Sequence, residues 1–319
     1  MERGKIIYVN SFEDLNVHVF TIGYPIEGEA ILFIISDKGK PIFTSLTDCY
    51  ITEECNHIET ILSRFQNHAI DIFFWTHPDK DHSVGIKDIL NKFDTYKTAR
   101  IFLPSSFDSE NAYNISDDIK SSLKYLYDNY NSKTKYNMHQ ACVTPGEYRS
   151  LFYFDILELK SRNILRCDFK CLAPIDSIIA RRRYNDSKNK TNDLSIVYTV
   201  ELNGSKLLFT GDLTNQTAQF LNGDYLSDVN MIKIPHHASD EPKNFNGILF
   251  SHNIRDIISV TTIKSPKHPS ENVINDYKKL NHEVYSTGKG DDIYGCIEYS
   301  MNLKSMVPII NCTGNALQL

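Results

Sequence analysis

Short apolar runs that alternate with helical segments are the feature that most constrains the fold of this 319-residue chain. The longest runs, such as Ile31–Ile35 and Ile70–Trp75, have the length of a buried β-strand. They are far shorter than the roughly 20 residues with which a helix crosses a bilayer. The Asn203-Gly204 pair between two apolar runs predicts a β-hairpin. This pattern predicts layers of helices and mixed β-sheets without a membrane span.

The predicted elements follow the periodicity of apolar residues. Strands are expected over 5–9, 16–23, 29–36, 41–45, 71–75, near 149–171, over 195–202, 206–210, 229–234 and 256–262, and in two or three terminal segments. Helices are expected over 54–67, 83–94, 117–130, 214–221 and 270–280. With no internal repeat or low-complexity linker, we expect a single domain over 1–319. It carries a helical insertion at 104–139 and a basic loop at 181–192.

Composition excludes several classes of protein. The 34 Lys and Arg against 40 Asp and Glu give a net charge of −6, which argues against a general basic protein that coats nucleic acid or a membrane. The seven cysteines are scattered, odd in number and without C-x-x-C spacing, so they favour neither a disulfide framework nor a structural zinc site. We therefore expect a soluble protein in the reducing cytoplasm.

The segment from Thr76 to His82 is the most informative motif. It follows the apolar strand 71–75 and places His77, Asp79, Asp81 and His82 within six residues. A loop that leaves a buried strand can direct alternate side chains into one pocket, and the adjacent Asp81 and His82 can serve a second metal position. The alternative is that Asp81 or Ser83 caps the next helix and that the histidines have no shared role.

Three further strands end in polar residues of the same kinds. An apolar strand ends at Asp212, another leads from Lys233 into His236 and His237, and His268 follows the strand 256–262. Consecutive residues of a strand point to opposite sides, so we expect only one of His236 and His237 to face the site. Taken singly, Asp212 is as readily a turn cap and His268 a loop residue.

In this order the motifs resemble those of the metallo-β-lactamase superfamily, and more narrowly the metallo-β-lactamase domain of ComEC-type DNA-uptake proteins and their stand-alone soluble relatives. The matching segments are 77–82, 192–195, 210–212, 233–239 and 268–270, and the hairpin around Gly28-Glu29-Ala30 is similar to the family's first hairpin. Asp79 replaces the histidine of the usual first motif, an exchange that ComEC-type members share. The superfamily's middle histidine has no counterpart, and Asp193 lies in the corresponding stretch.

The resemblance implies an αββα sandwich in which two mixed β-sheets pack face to face with helices outside. It also implies two divalent metal ions, Zn²⁺ or Mn²⁺ with Mg²⁺ as a further option, that activate a water molecule as hydroxide. Because carboxylates replace imidazoles, we expect Mn²⁺ to support more activity than Zn²⁺. The implied metal ligands are His77, Asp79, Asp81, His82, Asp193, Asp212, His236 and His268, with Asp212 as the bridge. The implied catalytic residues are Asp81, His236 and Lys233.

The favoured function is a metal-dependent phosphodiesterase or nuclease that acts on DNA, RNA or cyclic nucleotides. The basic loop at 181–192 supplies candidate phosphate contacts, although a solvated charged loop without a binding role is the simpler interpretation. The substrate-binding candidates are Arg181, Arg182, Arg183, His237 and Ser239. An acyl or lactone hydrolase on the same fold is the alternative, and a non-catalytic metal or nucleotide sensor is a third. A homodimer, or partner proteins of a defence or processing system, remain open.

Overall fold

The computed structural model describes residues 3–24, 28–52, 55–66, 68–105, 116–132, 135–184, 191–265, 267–289 and 294–319. The strands are β1 (Arg3–Val9), β2 (Leu15–Gly23), β3 (Glu29–Asp37), β4 (Lys40–Thr47), β5 (Ile72–Phe74), β6 (Arg100–Pro104), β7 (Asn131–Ser132), β8 (Lys135–Tyr136), β9 (Met138–Ala141), β10 (Arg149–Glu158), β11 (Ile164–Ala173), β12 (Val197–Leu202), β13 (Ser205–Phe209), β14 (Met231–Lys233), β15 (Ile258–Thr261), β16 (Glu283–Ser286), β17 (Gly295–Asn302), β18 (Pro308–Gly314) and β19 (Leu317–Gln318). The α-helices are α1 (His57–Arg64), α2 (Ile86–Phe93), α3 (Asp117–Tyr130), α4 (Asp176–Tyr184), α5 (Asn215–Ala218), α6 (Lys243–Ser251) and α7 (Glu271–Lys279). Short 3-10 helices span Phe12–Asp14, Lys80–His82, Thr191–Leu194, Asp224–Leu226 and His236–Ala238.

Two large mixed sheets contain nearly all of these strands. The first sheet has the order β1-β10-β11-β12-β13-β14-β15-β16-β19, and the second has the order β18-β17-β2-β3-β4-β5-β6-β9. Within them, β13 to β16 run parallel to one another, as do β4, β5, β6 and β9, while the remaining pairs are antiparallel apart from β1 with β10. Strands β7 and β8 form a separate small ribbon.

Three apolar clusters define four layers, and β3 shows how the sequence builds them. Ile31, Phe33 and Ile35 point into the cluster between the two sheets, and the alternate Leu32 and Ile34 pack with helices α1, α2 and α3 on the other face. The third cluster joins α5, α6 and α7 to the outer face of the first sheet. A strand buried on both faces needs a continuous apolar run, which is why this one lacks alternation. The predicted fold class, two mixed sheets face to face with helices outside, is confirmed.

The carboxyl ends of parallel strands from both sheets meet at one edge of the sandwich. In the second sheet β4 and β5 end there, and in the first sheet β13, β14 and β15 end there. Because β3 runs antiparallel to β4, its first residue, Glu29, lies at the same edge. Short polar segments from six strands therefore meet at this edge. Open α/β sheets usually bind their ligands at such an edge.

Several local predictions are confirmed and others are corrected. The hairpin joins β12 to β13 through Asn203 and Gly204, which both have positive φ as a type I′ turn requires, and α3 has the predicted bounds. The prediction of a loop from residue 181 was wrong up to Tyr184, because the arginines continue helix α4. Residues 185–190 of that predicted loop, and 106–115 and 133–134 of the predicted insertion, lie outside the described residues. In the described part of the chain, every helix is too short or too polar to cross a membrane.

Candidate metal centre

The segment after β5 carries the first set of polar side chains into this edge. The backbone leaves the buried strand at Trp75 and turns through the 3-10 helix Lys80–His82. His77 and His82 are fully buried, Asp81 is 5 % exposed, and the side chain of Asp79 is 32 % exposed. The predicted loop is thus present, and it directs His77, Asp81 and His82 towards Asp212, while Asp79 lies beside His77.

Asp212 lies at the centre of the cluster because of the glycine before it. Gly211 has a φ of +49°, a left-handed conformation that glycine adopts without the steric cost of a Cβ atom. The amide of Asp212 then donates to the hydroxyl of Ser195 at 3.2 Å, and the carbonyl of Gly211 accepts from the amide of His236 at 3.1 Å. The carboxylate of Asp212 is completely buried.

His236 and His237 both face this carboxylate, so the expectation that only one would do so was wrong. They lie in a 3-10 turn after β14, with φ values of 49° and 52°, and not on the strand. Successive side chains of such a turn are about 120° apart, whereas on a strand they are opposite. Non-glycine residues in left-handed backbone are uncommon and cluster at functional sites.

The first group of candidate ligand atoms lies on the side of Oδ2 of Asp212. Nε2 of His77 lies 3.8 Å from this oxygen and 3.7 Å from Oδ2 of Asp79. Nε2 of His236 lies 3.6 Å from the same Asp212 oxygen. The other oxygen of Asp79 accepts a hydrogen bond from Thr191 at 2.5 Å, which orients this carboxylate.

The second group surrounds Oδ1 of Asp212. Nε2 of His82 lies 3.5 Å from this oxygen and 3.6 Å from Oδ2 of Asp81. Nε2 of His237 lies 3.9 Å from Oδ1 of Asp212 and 3.2 Å from Oδ2 of Asp81. Asp81, His82, Asp212 and His237 offer four ligand atoms within 4.8 Å of one another. Asp212 thus presents one oxygen to each group.

Hydrogen bonds behind the cluster fix the tautomers of three histidines. Nδ1 of His82 donates to Asp48 at 2.7 Å. Thr76 donates its hydroxyl proton to Asp48, so its oxygen accepts from Nδ1 of His77 at 2.9 Å. In the same way Thr262 donates to Glu29 and accepts from Nδ1 of His237 at 2.8 Å. In its neutral form each ring would therefore present the lone pair of Nε2 to the cluster.

Nδ1 of His236, the fourth histidine, also faces an acidic group. It lies 3.3 Å from a carboxylate oxygen of Glu241, which precedes helix α6. All four imidazole rings consequently have Nδ1 directed away from the cluster and Nε2 directed into it. Such outer carboxylates and hydroxyls are the usual partners of metal-binding histidines.

The donor set fits divalent metal ions. Nε2 of His77, Nε2 of His82 and Oδ1 of Asp212 are buried without a hydrogen-bond partner. Unprotonated imidazole nitrogens and carboxylate oxygens are all acceptors, so they need a proton or a cation between them. Ligand atoms that share an ion at about 2.1 Å lie roughly 3.0–3.4 Å apart. In the second group the spacings of 3.2–3.9 Å would contract only slightly around such an ion.

The electrostatics of the cluster favour positive charge. Burial opposes the charged form of His82, but the carboxylates of Asp212, Asp81 and Asp48 outweigh it and raise the pKa of this imidazole well above its ordinary value. Burial likewise opposes the charged form of Asp212, and His82 and His237 nevertheless lower its pKa well below its usual range. A cation at this place is therefore stabilised at neutral pH.

A buried ion pair supports the second group from behind. Nζ of Lys233 lies 2.8 Å from Oε2 of Glu29, and both side chains are inaccessible to solvent. Burial would raise the pKa of Glu29, but Lys233 and His237 lower it, so the carboxylate stays charged and holds Thr262. Lys233 was predicted as a catalytic residue, and this position behind Glu29 keeps its ammonium away from the solvent side of the cluster.

Other predicted residues do not join the cluster. Oδ1 of Asp193 accepts a hydrogen bond from Thr214 at 2.6 Å, and its neighbour Asn192 donates instead to Oδ2 of Asp212 at 3.5 Å. His268 was predicted as the last ligand, but in the described part of the chain His237 completes the second group. Ser239, a predicted substrate contact, is buried and accepts from the amide of Glu241.

The remaining substrate candidates are divided between the cluster and helix α4. His237 was predicted to bind substrate, yet its ring is completely buried among the ligand atoms. Arg181, Arg182 and Arg183 lie in the last turns of α4, and Arg181 is exposed. The chain returns to the cluster at Thr191, eight residues after Arg183, through the contact of Thr191 with Asp79.

Three charged residues of the centre were not identified from the sequence. Asp48 and Glu29 anchor the histidines from behind, and Nζ of Lys264 lies 2.6 Å from Oδ2 of Asp81. Asp48 could have been identified from the sequence, because it directly follows an apolar strand in the same way as Asp212 does. Glu29 begins a strand and Lys264 lies in a turn, and neither position has a distinctive pattern.

No protein-family model and no curated protein matches this sequence. Among solved structures, the chain is similar to the metallo-β-lactamase fold protein YhfI from Bacillus subtilis, with 9 % identity, a TM-score of 0.40, and 85 % of this chain and 98 % of that chain covered. A second structure, the central domain of yeast acetyl-CoA carboxylase, has 8 % identity and a TM-score of 0.16, with 97 % of this chain and 50 % of that chain covered. Likenesses this distant do not assign a family or a function.

Proposed function

We propose that this protein is a metal-dependent hydrolase that cleaves phosphodiester bonds. The observation that carries the proposal is the arrangement of four imidazole Nε2 atoms and three carboxylates around Asp212, in which Nε2 of His77, Nε2 of His82 and Oδ1 of Asp212 have no hydrogen-bond partner. His77, Asp79 and His236 would hold one divalent ion and Asp81, His82 and His237 the other, with Asp212 between them. Two such ions supply hydroxide near neutral pH and stabilise the attacking and leaving oxygens of an in-line displacement.

The residues of the chain then have distinct roles. Asp48, Thr76 and Thr262 keep the rings oriented, so the ligand atoms need no rearrangement before binding. The side chain of Asp79 is 32 % exposed, and it marks the side from which substrate reaches the cluster. The side chain of His236 is 18 % exposed, so this proposed ligand also borders the partly exposed side of the cluster.

Two features support a phosphodiester in preference to an acyl substrate. Three carboxylates harden the ligand set and favour Mn²⁺ or Mg²⁺, the ions most often paired with phosphate oxygens. The ammonium of Lys264 beside Asp81 adds a fixed positive charge at the partly exposed side of the cluster. Both the metal ions and the ammonium of Lys264 would attract an anionic substrate such as DNA, RNA or a cyclic nucleotide.

A cavity beside His268 is large enough for a small ligand. Its volume is about 440 Å³, and its walls include His268, Ile274, Lys278 and Leu319. His268 belongs to the same turn region as Lys264, which contacts the cluster. Pockets of about 300–1,000 Å³ with mixed apolar and polar walls commonly hold small ligands.

The resemblance of the motifs to ComEC-type proteins stays a prediction.

The proposal is tested by a substrate panel on metal-free protein reconstituted with Mn²⁺, Mg²⁺ or Zn²⁺. The panel contains bis-(p-nitrophenyl) phosphate, single- and double-stranded DNA, RNA, cyclic dinucleotides and a lactone. We expect phosphodiester cleavage that is highest with Mn²⁺, is lost in Asp212→Asn and is retained in the surface control Asp224→Asn. Cleavage of the lactone alone would establish an acyl hydrolase, and inactivity of the metal-loaded protein throughout would favour the sensor.

The basic end of α4 is a candidate for substrate attraction. Replacing Arg181, Arg182 and Arg183 together by Ala should raise KM for DNA or RNA several-fold, because the end of α4 loses three positive charges that attract a phosphodiester chain. Metal content should stay unchanged, since no arginine is part of the proposed ligand set. An unaltered KM at low salt would exclude this role for the helix.

A further inference from the structure

Among the described strands, each of the two large sheets has two edge strands, and one of these four differs from the others. β9 has four residues, β19 has two, and β1 carries the charged Lys5. Short length and lysine side chains are two ways in which proteins keep an open strand edge from pairing with another chain. β18, at the end of the second sheet, has seven residues and neither form of protection.

β18 is regular and exposed. It pairs with β17 in one unbroken antiparallel register from Pro308 to Gly314. Six of its seven residues are exposed, and only Ile310 is half-buried. On the side away from β17, no strand of the described chain pairs with it. The outer backbone amides and carbonyls of β18 are therefore open to another strand.

The strand also lies in an uncharged segment. From Ser305 to Leu319 the sequence contains no Asp, Glu, Lys or Arg. Within this segment Val307 and Ile309, two residues apart, are 62 % and 59 % exposed. The whole chain has a net charge of −6, so two copies repel each other in general. At β18 two copies can approach without bringing like charges together.

A second copy of the chain fits this edge best. The edge has no charge with which to select a different protein. Two identical strands can pair antiparallel around a two-fold axis, and the register that uses all of β18 puts Asn311 on this axis. Ile310 then lies opposite the partner's Cys312. Ile309 lies opposite the partner's Thr313, so every pair joins uncharged side chains.

We propose that two copies of the chain associate through β18, so that their eight-stranded sheets form one continuous sheet of sixteen strands. β18 is five positions from β5, the strand that leads to the ligand segment. At the usual strand spacing this is about 24 Å, so the interface lies away from the metal centre. The inference does not rest on the proposed function.

The test is sedimentation velocity of the full chain over a wide range of concentrations. Wild-type protein should form a dimer with twice the 36.6 kDa mass of one chain. Asn311→Lys or Asn311→Glu should each weaken the dimer about tenfold, because like charges then face each other at the axis. An equimolar mixture of these two variants should restore the dimer, since opposite charges then meet. Tyr8→Lys, which adds a lysine at an exposed position of the edge strand β1, should behave as wild type.

Each contrary result has a definite meaning. A wild-type monomer at every concentration would overturn the proposal. A dimer that both charge variants leave intact would show that the copies meet at another surface. A mixture of the variants that stays monomeric would contradict the pairing around Asn311. Circular dichroism checks that the variants are folded, and if the Asn311 variants are not, Ile309→Lys and Ile309→Glu, at another exposed position of β18, provide the same test.

Discussion

At the scale of single residues, Asp48 orients two histidines of the cluster from behind. Its two carboxylate oxygens accept from the amide and the hydroxyl of Thr76 and from Nδ1 of His82, each at 2.7 Å. One side chain therefore orients a ring in each ligand group, directly for His82 and through Thr76 for His77. Asp48 itself has a φ of 56°, a left-handed conformation that aspartate tolerates better than most residues.

Asp48→Asn should weaken metal binding without removing a ligand. The amide places a donor where the carboxylate accepts two hydrogen bonds, so His82 and Thr76 lose their acceptor. Replacement of such outer partners typically lowers metal affinity by about 10–100-fold. Competition with a fluorescent chelator measures the change, and Asp88→Asn on the exposed side of α2 is the matched control. Equal affinity in Asp48→Asn and wild type would disprove the orienting role.

At the scale of elements, two turns decide how the ligand atoms converge. The Gly211-Asp212 turn and the left-handed turn of His236 and His237 are joined by the hydrogen bond from the amide of His236 to the carbonyl of Gly211. A Cβ atom on Gly211 would lie 3.2 Å from Cβ of Thr76 and 3.4 Å from the carbonyl oxygen of Ile196. The turn thus needs glycine for its backbone angle and for its close neighbours.

Gly211→Ala should destabilise the protein by about 1–2 kcal/mol, the usual cost of a Cβ atom in the left-handed region. Gly247→Ala is the matched control, because Gly247 lies within α6 and a Cβ there would meet no atom within 4 Å. This control should be stabilised by roughly 0.5–1 kcal/mol. Urea denaturation measures both free energies of unfolding. A destabilisation of Gly247→Ala equal to that of Gly211→Ala would refute the conformational explanation.

The sequence predicts elements well and turns poorly. The strands that end at Phe74 and Phe209 were identified from apolar runs, and His77, Asp79, Asp81 and His82 were grouped from their spacing alone. The direction of His237 was mispredicted because alternation holds on a strand, while the ring lies in a left-handed turn that depends on tertiary contacts. Lys264 was not identified because its partner Asp81 is 183 residues away in the chain.

At the scale of the whole molecule, the centre depends on how the two sheets align. Asp48, His77 and Asp81 come from the second sheet, and Asp212 and His237 come from the first. An ion pair on the side of the sandwich also joins the sheets, since Nζ of Lys5 on β1 lies 2.6 Å from Oδ1 of Asp71, just before β5. The amide of Thr44 on β4 donates to the other oxygen of Asp71 at 2.9 Å.

This contact predicts a dependence of stability on pH. Burial would raise the pKa of Asp71, but His68, Lys5 and the amide of Thr44 lower it below the ordinary value of 3.8. A carboxyl group with a lowered pKa in the folded state contributes stability above its unfolded pKa and loses it as the pH falls through the folded value. The difference in free energy of unfolding between wild type and Asp71→Asn should therefore shrink as the pH falls below about 4. A constant difference down to pH 2.5 would contradict the assigned pKa direction.

The most direct test of the central claim is an anomalous diffraction map of crystals grown with saturating Mn²⁺. We expect two peaks about 3.5–4 Å apart, one contacted by His77, Asp79 and His236 and the other by Asp81, His82 and His237. Asp212 should lie between them with one oxygen on each. A single peak at saturation, or two peaks without Asp212 between them, would contradict the account.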